Sequence, residues 1–498
     1  LDPLGLQNTS DATFTQLMPG LNNVTGRIRY YSFYCWLLDQ YSKRIGSTDP
    51  EQQRRFIRKA EYIIALSSQF YEGDNGGIPG IHDLNAGIFK PDGSTANTYW
   101  NYSWGAFGQY YLGSLRSIGI IIDRDRNGGL YTRTNSRENE FISGEMLADG
   151  FDESIPFDKK ELFFTCLANS EISEPQLQSL LPEFNMTQVQ EGSSEKKLLT
   201  RLLIQKDFPL RIEEEPATLR KESVYHLLKF IQSGPSEFSD RQFVYSAYDS
   251  KGMKEDKIDP SLFGWYYYQF NEFWHYSNTS IFNGTLDYLE GSKGPNWVPL
   301  NQFTNDVTHL IVEKFISEGL AESGQEDLAE VLSKLTPDEY QYLKEASKNS
   351  KIDKAFYGFL LMFSEFLNNK EQLFLLKEYG ENNDLAKDGE ASGYFLLQFK
   401  AKLGQSFIEF IRNYIFKNII YRHQYVAFRK IRGGGLSTQK FIIEDHHIRY
   451  LGNFEAGYTG PRIGNLISYL KDLKIISKDN SLTDYGHEVL TIIAPTND

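Results

Sequence analysis

Residues 28–38 read Ile-Arg-Tyr-Tyr-Ser-Phe-Tyr-Cys-Trp-Leu-Leu, apolar nearly all round. A segment with no polar face cannot lie on a surface, so this run predicts a helix enclosed by other elements. Enclosure needs a long chain, and 498 residues suffice to bury large cores and predict two to four domains. A second run, Gly264-Trp265-Tyr266-Tyr267-Tyr268-Gln269-Phe270-Asn271-Glu272-Phe273-Trp274-His275-Tyr276, carries the same message more strongly. Aromatic residues with Asn and Gln can form a platform for sugars. The helical spacing of Trp265, Tyr268, Glu272 and His275 instead favours packing inside a core. A further aromatic belt covers Tyr99 to Tyr111.

Around these runs the pattern is mainly helical. Glu51 to Tyr71 has an amphipathic period, and the glycine-rich stretch Gly73 to Gly93 must be loop. Tyr110 to Ile122 predicts a helix and then a strand, with a tight turn over Asp123 to Leu130 and a return strand over Leu130 to Thr134. From Asp158 to Asn418 the chain reads as helix broken by prolines and polar turns. Thr336-Pro337-Asp338-Glu339 is a helix start with Thr as cap. At the C-terminus, Pro461 opens a helix with Ile463, Leu466, Ile467, Leu470 and Leu473 in phase. The strand Ile475-Ile476-Ser477, a turn, and a helix capped by Thr483 follow. Helix, strand, turn, helix is the order of a winged helix. The expectation is a mostly α, helical multi-domain protein with winged-helix-like units, the clearest at the C-terminus. The expected domains are an aromatic-rich helical part with a hairpin over 1–155, a helical middle over 156–409, and a basic helix plus winged-helix module over 410–498.

Charge is distributed unevenly along this framework. The chain has 66 Asp+Glu against 52 Lys+Arg, a formal net charge of -14. Phe410 to Ile443 nevertheless holds seven Lys or Arg and no acid: Arg412, Lys417, Arg422, Arg429, Lys430, Arg432 and Lys440. A positive island in a negative protein is a candidate phosphate-binding surface. Tyr414, Phe416, Tyr421, Tyr425 and Phe428 are interleaved with the cations and could stack on unpaired bases. Gly433-Gly434-Gly435 would let backbone amides approach a phosphate. The alternative is that the isoleucines of this segment bury one helix face while the cations are solvated, or dock on acidic protein. In the C-terminal module, Arg462 and Asn465, with Ser468 and Lys471, would face outward on the candidate recognition helix and suit base edges.

Catalytic patterns are weak. Asp445-His446-His447 is like the strand end of one phosphoesterase family, but only 51 residues follow it and a surface turn is the simpler reading. His423 beside Arg422 lacks the Arg-to-His spacing of helical ribonucleases. Asp123-Arg124-Asp125-Arg126-Asn127-Gly128 matches half of an EF-hand loop, yet Thr134 stands where a bidentate Glu belongs, so a hairpin is preferred. No ATPase, zinc-protease, serine-hydrolase or dinucleotide motif occurs, and no cofactor or metal is expected. Cys35 and Cys166 are too few for a disulfide framework. No apolar run is long enough for a membrane span. Leu1 is not a methionine, so a leader upstream stays open.

Leu1-Asp2-Pro3-Leu4-Gly5, Met18-Pro19-Gly20, Asn23-Val24-Thr25 and Arg27 to Tyr34 resemble the opening of a family of uncharacterised bacterial proteins associated with mobile phage-defence gene islands. Arg422-His423-Gln424-Tyr425-Val426-Ala427 and Pro461-Arg462 resemble its later blocks. The resemblance implies a cytoplasmic bacterial setting and a role against phage or plasmid DNA, and it supplies no catalytic residues. The expected function is a non-enzymatic nucleic-acid-binding or scaffold subunit of a bacterial defence complex. Its partners would be nucleic acid, DNA first, or other protein subunits, with no membrane and no small-molecule substrate. The alternatives are a metal-dependent nuclease or phosphoesterase using His423 or the Asp445 cluster, and an exported glycan-binding protein.

Overall fold

The computed structural model describes residues 2–22, 24–71, 76–79, 84, 86–90, 103–124, 129–136, 141–208, 217–234, 238–293, 296–432, 437–458 and 460–495. Among them the chain is mostly α-helical, with four small sheets of two or three strands. It divides into two compact units, each assembled from separated stretches. The first comprises 1–14, 244–257 and 263–459, and the second 15–243, 258–262 and 460–498. This grouping differs from the three consecutive segments expected. The reason lies in the C-terminal residues, whose polar and apolar partners belong to the first half of the chain.

In the second unit, the all-round apolar run is the helix Arg29–Arg44, buried continuously from Arg29 to Tyr41. Trp36 packs on Phe151 and Phe164, with ring centroids 5.1 and 5.2 Å away. Two polar groups enter this core, and each is fully engaged. Glu195 accepts from Arg29 Nε at 3.1 Å, Ser32 Oγ at 2.6 Å and Ser154 Oγ at 3.2 Å. Glu61 accepts from Tyr34 Oη and from the amides of Ala106 and Phe107. Burial outweighs those hydrogen bonds and pushes the Glu61 carboxyl up to about 7.

Both expected hairpin units lie in this unit. After the helix Leu112–Ser117, Ile121–Asp123 pairs with Tyr131–Arg133 in an antiparallel hairpin. Residues 125–128 of the half EF-hand pattern lie outside the described residues. At the C-terminus, the helix Gly464–Asp472 is followed by a hairpin whose ladder is one bridge, Ile476 to Leu482. Thr483 Oγ1 then caps the helix Asp484–Ile493 by accepting from the Gly486 amide. Asp472 forms a buried ion pair with Arg27 at 2.7 Å, and Tyr469 Oη donates to the Thr25 carbonyl at 2.7 Å. These bonds bring 460–498 into the same unit as 15–243.

The first unit is organised by the helix Pro260–Lys293. Every residue from Gly264 to Thr285 is buried, so the aromatic belt is core. Its rings are therefore unavailable as a sugar platform. Several polar side chains of this helix are satisfied locally. Asn271, Asn278, Thr279 and Thr285 each donate to the carbonyl four residues back. Gln269 and Asn278 also accept from Tyr458 and Tyr414. The helices Lys351–Asn369 and Phe407–Tyr414 complete the core together with the sheet of Val298–Pro299, His447–Tyr450 and Phe441–Glu444. Glu365 is wholly buried without a hydrogen-bond partner, and burial, with Glu339 and Glu390 nearby, holds its carboxyl well above the carboxylate range as a neutral acid. The helix start at residue 336 differs in detail from expectation. Asp338 caps the helix Glu339–Lys348 by accepting from the Gln341 amide, where Thr336 was expected.

The Arg29–Glu195 pair is enclosed, with side chains 4% and 0% exposed, so removing one partner leaves a buried charge. Glu195→Ala is expected to cost roughly 3–5 kcal/mol, read from the urea unfolding midpoint. The Arg29→Met/Glu195→Leu double variant should recover much of that loss.

Candidate nucleic-acid interface

The basic segment is one continuous helical run. Phe407–Tyr414 leads through a π-helical stretch, Ile415–Tyr421, into Arg422–Arg432. Its apolar side is packed away: Phe407, Phe410, Ile411, Tyr414, Ile415, Ile419, Ile420, Val426 and Ala427 are all buried. This matches the reading in which the isoleucines bury one face. The other face decides the function, and there the seven cations separate into two groups.

Three of them hold the chain's own backbone. Arg422 donates from Nε to the Leu4 carbonyl at 2.7 Å and from Nη2 to the carbonyls of Gly5 and Asp388. Lys430 Nζ donates to the Asp2 carbonyl, and Lys440 Nζ donates to the Asn453 carbonyl at 2.9 Å. Between the first two, His423 is completely buried. Its Nδ1 lies 2.9 Å from the Pro3 carbonyl, and its Nε2 accepts from the Lys440 amide at 3.0 Å. That pattern assigns the proton to Nδ1 and requires a neutral ring. Burial, with Lys440 and Lys430 close by, lowers its pKa to about 4. Both nitrogens are occupied, so His423 has no free nitrogen for nuclease chemistry. Four consecutive carbonyls, Asp2 to Gly5, are thus gripped by Arg422, His423 and Lys430. The carbonyls themselves carry no sequence signal, so sequence reasoning does not find this clamp. It joins two of the blocks on which the family resemblance rests.

The other four cations, Arg412, Lys417, Arg429 and Arg432, are exposed. Arg429 lies 3.7 Å from the carboxylate of Asp388, itself half-exposed, and its guanidinium sits 5.7 Å from the Tyr425 ring centroid. The aromatics beside them are exposed as well: Tyr421 by 45%, Tyr425 by 58% and Phe428 by 54%. Steps of four, three and four residues place Tyr421, Tyr425, Phe428 and Arg432 along one stripe of the helix. Ile431, 40% exposed, borders it. Holding such rings in water brings the fold no burial energy, so the stripe is available to a partner. Gly433-Gly434-Gly435 lie outside the described residues.

The remaining sequence-predicted residues are placed elsewhere. Arg462 and Asn465 belong to the second unit. Asn465 donates to the Asn22 carbonyl at 2.7 Å, so its amide is engaged within the fold. Arg462 is half-buried and adopts a left-handed backbone, φ 59°. Asp445 and His446 form the two-residue turn between Phe441–Glu444 and His447–Tyr450, with φ of 46° and 60°. Positive φ at both positions is the type I′ hairpin geometry, so the triplet is a surface turn. Among the described residues no group of three His, Cys, Asp or Glu is placed to hold a metal ion. No described helix is long and apolar enough to cross a membrane. Compared with family models, curated proteins and solved structures, the chain matches none.

The clamp has a pH signature. With the folded His423 pKa near 4 and the ordinary value near 6.5, the unfolded chain binds the extra proton between those values. The stability from the neutral ring is therefore complete above about pH 6.5 and lost as pH falls toward 4. Urea unfolding from pH 7 to 4 should show the stability advantage of the wild type over His423→Gln shrinking by about 2–3 kcal/mol.

Proposed function

We propose that this chain is a non-enzymatic nucleic-acid-binding or scaffold subunit of a cytoplasmic bacterial defence complex, and that it contacts a single strand through the 421–432 stripe. One observation carries the reading: three exposed aromatic rings at helical spacing alternate with Arg429 and Arg432 on a helix whose opposite face is core. Rings stack on unpaired bases and guanidinium groups neutralise the phosphates between them, a combination tolerant of sequence. The charge balance supports it. Residues 401–498 carry 13 Lys+Arg against 9 Asp+Glu, a net +4, which leaves -18 for the preceding 400 residues from the total of -14. A polyanion is therefore directed to this end of the sequence. The defence setting rests on the family resemblance. Arg422, Lys430 and Lys440 serve the fold first, so Arg412, Lys417, Arg429 and Arg432 are the cations assigned to phosphate.

Fluorescence anisotropy against single- and double-stranded DNA and RNA across a salt series tests this. Arg429→Gln/Arg432→Gln should lower the slope of log affinity against log salt by about 1.5, roughly 0.7 per lost phosphate contact on a single strand. Tyr425→Ala and Phe428→Ala should each cost about 1–3 kcal/mol on single strands and far less on duplex. Unchanged binding in both sets would remove the stripe as a nucleic-acid surface and assign it to a protein partner.

A further inference from the structure

A second feature of the first unit shares only Lys417 with the nucleic-acid reading and does not involve the 421–432 stripe. A pocket of ≈ 360 Å³ is walled on one side by Leu397 and Gln398 and on another by Lys417 and Asn418. Both walls are π-helical, Phe395–Phe399 and Ile415–Tyr421. A π turn is uncommon and re-aims the side chains around it, which is why such turns gather at ligand sites. Here two of them face one cavity of the size that holds a small metabolite.

The charges around the pocket do not cancel. Its acids are already engaged. Glu390 accepts from the amides of Ser392 and Gly393, Asp388 pairs with Arg422 and Arg429, and Glu381 pairs with Lys377. Lys387 is matched by Asp384. Lys417, by contrast, has no carboxylate partner among the described residues. Lys402 has none either; its ammonium lies 5.6 Å from the Tyr394 ring centroid. The two ammonium groups act against each other: burial first, and Lys417 second, lower the Lys402 pKa. Tyr394 lines the pocket and is 7% exposed, yet its buried hydroxyl finds no hydrogen-bond partner of standard geometry. A buried hydroxyl without a well-formed hydrogen bond, beside the unpaired Lys417 on the pocket wall, is an arrangement an anion completes.

We propose that this pocket binds a small phosphorylated metabolite, its phosphate held by Lys417 with the Tyr394 hydroxyl, while Lys402, outside the lining, adds positive charge across the Tyr394 ring. A phosphomonoester carries close to two negative charges at neutral pH and three acceptor oxygens, which suits a lysine and a hydroxyl with a second ammonium nearby better than a carboxylate does. Gln398 and Asn418 offer amide groups to the body of the ligand, and Leu397, 70% exposed, offers an apolar edge.

Isothermal titration calorimetry of the full chain tests the assignment with AMP, GMP, CMP, UMP and glucose 6-phosphate. Adenosine, glucose and inorganic phosphate serve as controls. At least one phosphorylated compound should bind, and its unphosphorylated counterpart should bind at least about tenfold more weakly. Lys417→Gln should weaken the bound compound by about 10- to 100-fold, and Tyr394→Phe, which keeps the ring packing, by about tenfold. Nucleotides binding in preference to glucose 6-phosphate would identify a base-bearing ligand, and the reverse a sugar phosphate. Three results would overturn the proposal: no heat from any phosphorylated compound at millimolar concentration, affinity unchanged in Lys417→Gln, or inorganic phosphate binding as tightly as the organic phosphates. Because Lys417→Gln leaves Arg429, Arg432, Tyr425 and Phe428 intact, failure here leaves the anisotropy test of the stripe undisturbed.

Discussion

The first unit depends on one constraint: the helix Pro260–Lys293 has no face it can show to water. Its middle carries Trp, Tyr and Phe on one turn and Asn, Thr and Ser on the next, all buried. Apolar rings alone would need only a wrapped core. The polar residues impose a stricter condition, because each buried amide or hydroxyl needs a partner. The helix meets it partly by itself, through donation to the carbonyl one turn back. Neighbours such as Tyr414 and Tyr458 supply further partners, and Tyr414 ties the position of the basic helix to the core of the unit. A surface stripe on that helix is thereby mounted on an element whose inner face belongs to the core.

The basic segment shows how one run of cations can serve two ends. Lys and Arg have enough reach to turn inward or outward, and composition does not say which. Inward, Arg422 and Lys430 meet backbone carbonyls, which accept strongly and need no acidic residue nearby. This explains how 34 residues can lack Asp and Glu and still contribute to folding. Outward, Arg429 and Arg432 stay in water beside aromatic rings. Helix phase alone does not make the division: Arg429 lies two turns after Arg422 on the same side and both reach Asp388, but only Arg422 meets the carbonyls of the opening segment.

Much of the architecture was legible in the sequence. The apolar runs at residues 28–38 and 264–276 are buried helices, the hairpins after residues 117 and 473 occur where turn residues interrupt the pattern, and Asp445-His446-His447 is a turn. These are local signals of period and turn chemistry. The two-unit grouping was not legible, because it depends on pairs such as Arg27 with Asp472, separated by 445 positions. The helix start at residue 338 was misplaced by two residues because Thr and Asp cap equally well in a Thr-Pro-Asp-Glu string. At the candidate site, the cations and rings could be named from sequence, but not the partition among them. His423 resembled a reactive residue until its two nitrogens were found occupied.

The clamp on residues 2–5 also sets an order in time. Its hydrogen bonds span 417 to 428 positions. A ribosome adding about 5–20 residues per second needs roughly 20–80 s between the two sides of that contact. The opening segment must wait through that interval, with Leu4 and Leu6 lacking the core they finally join. The second unit is in a like position, since Arg27 meets Asp472 only 445 positions later. Neither unit can close until these later residues have been made, and premature termination before residue 422 leaves the opening segment without its grip.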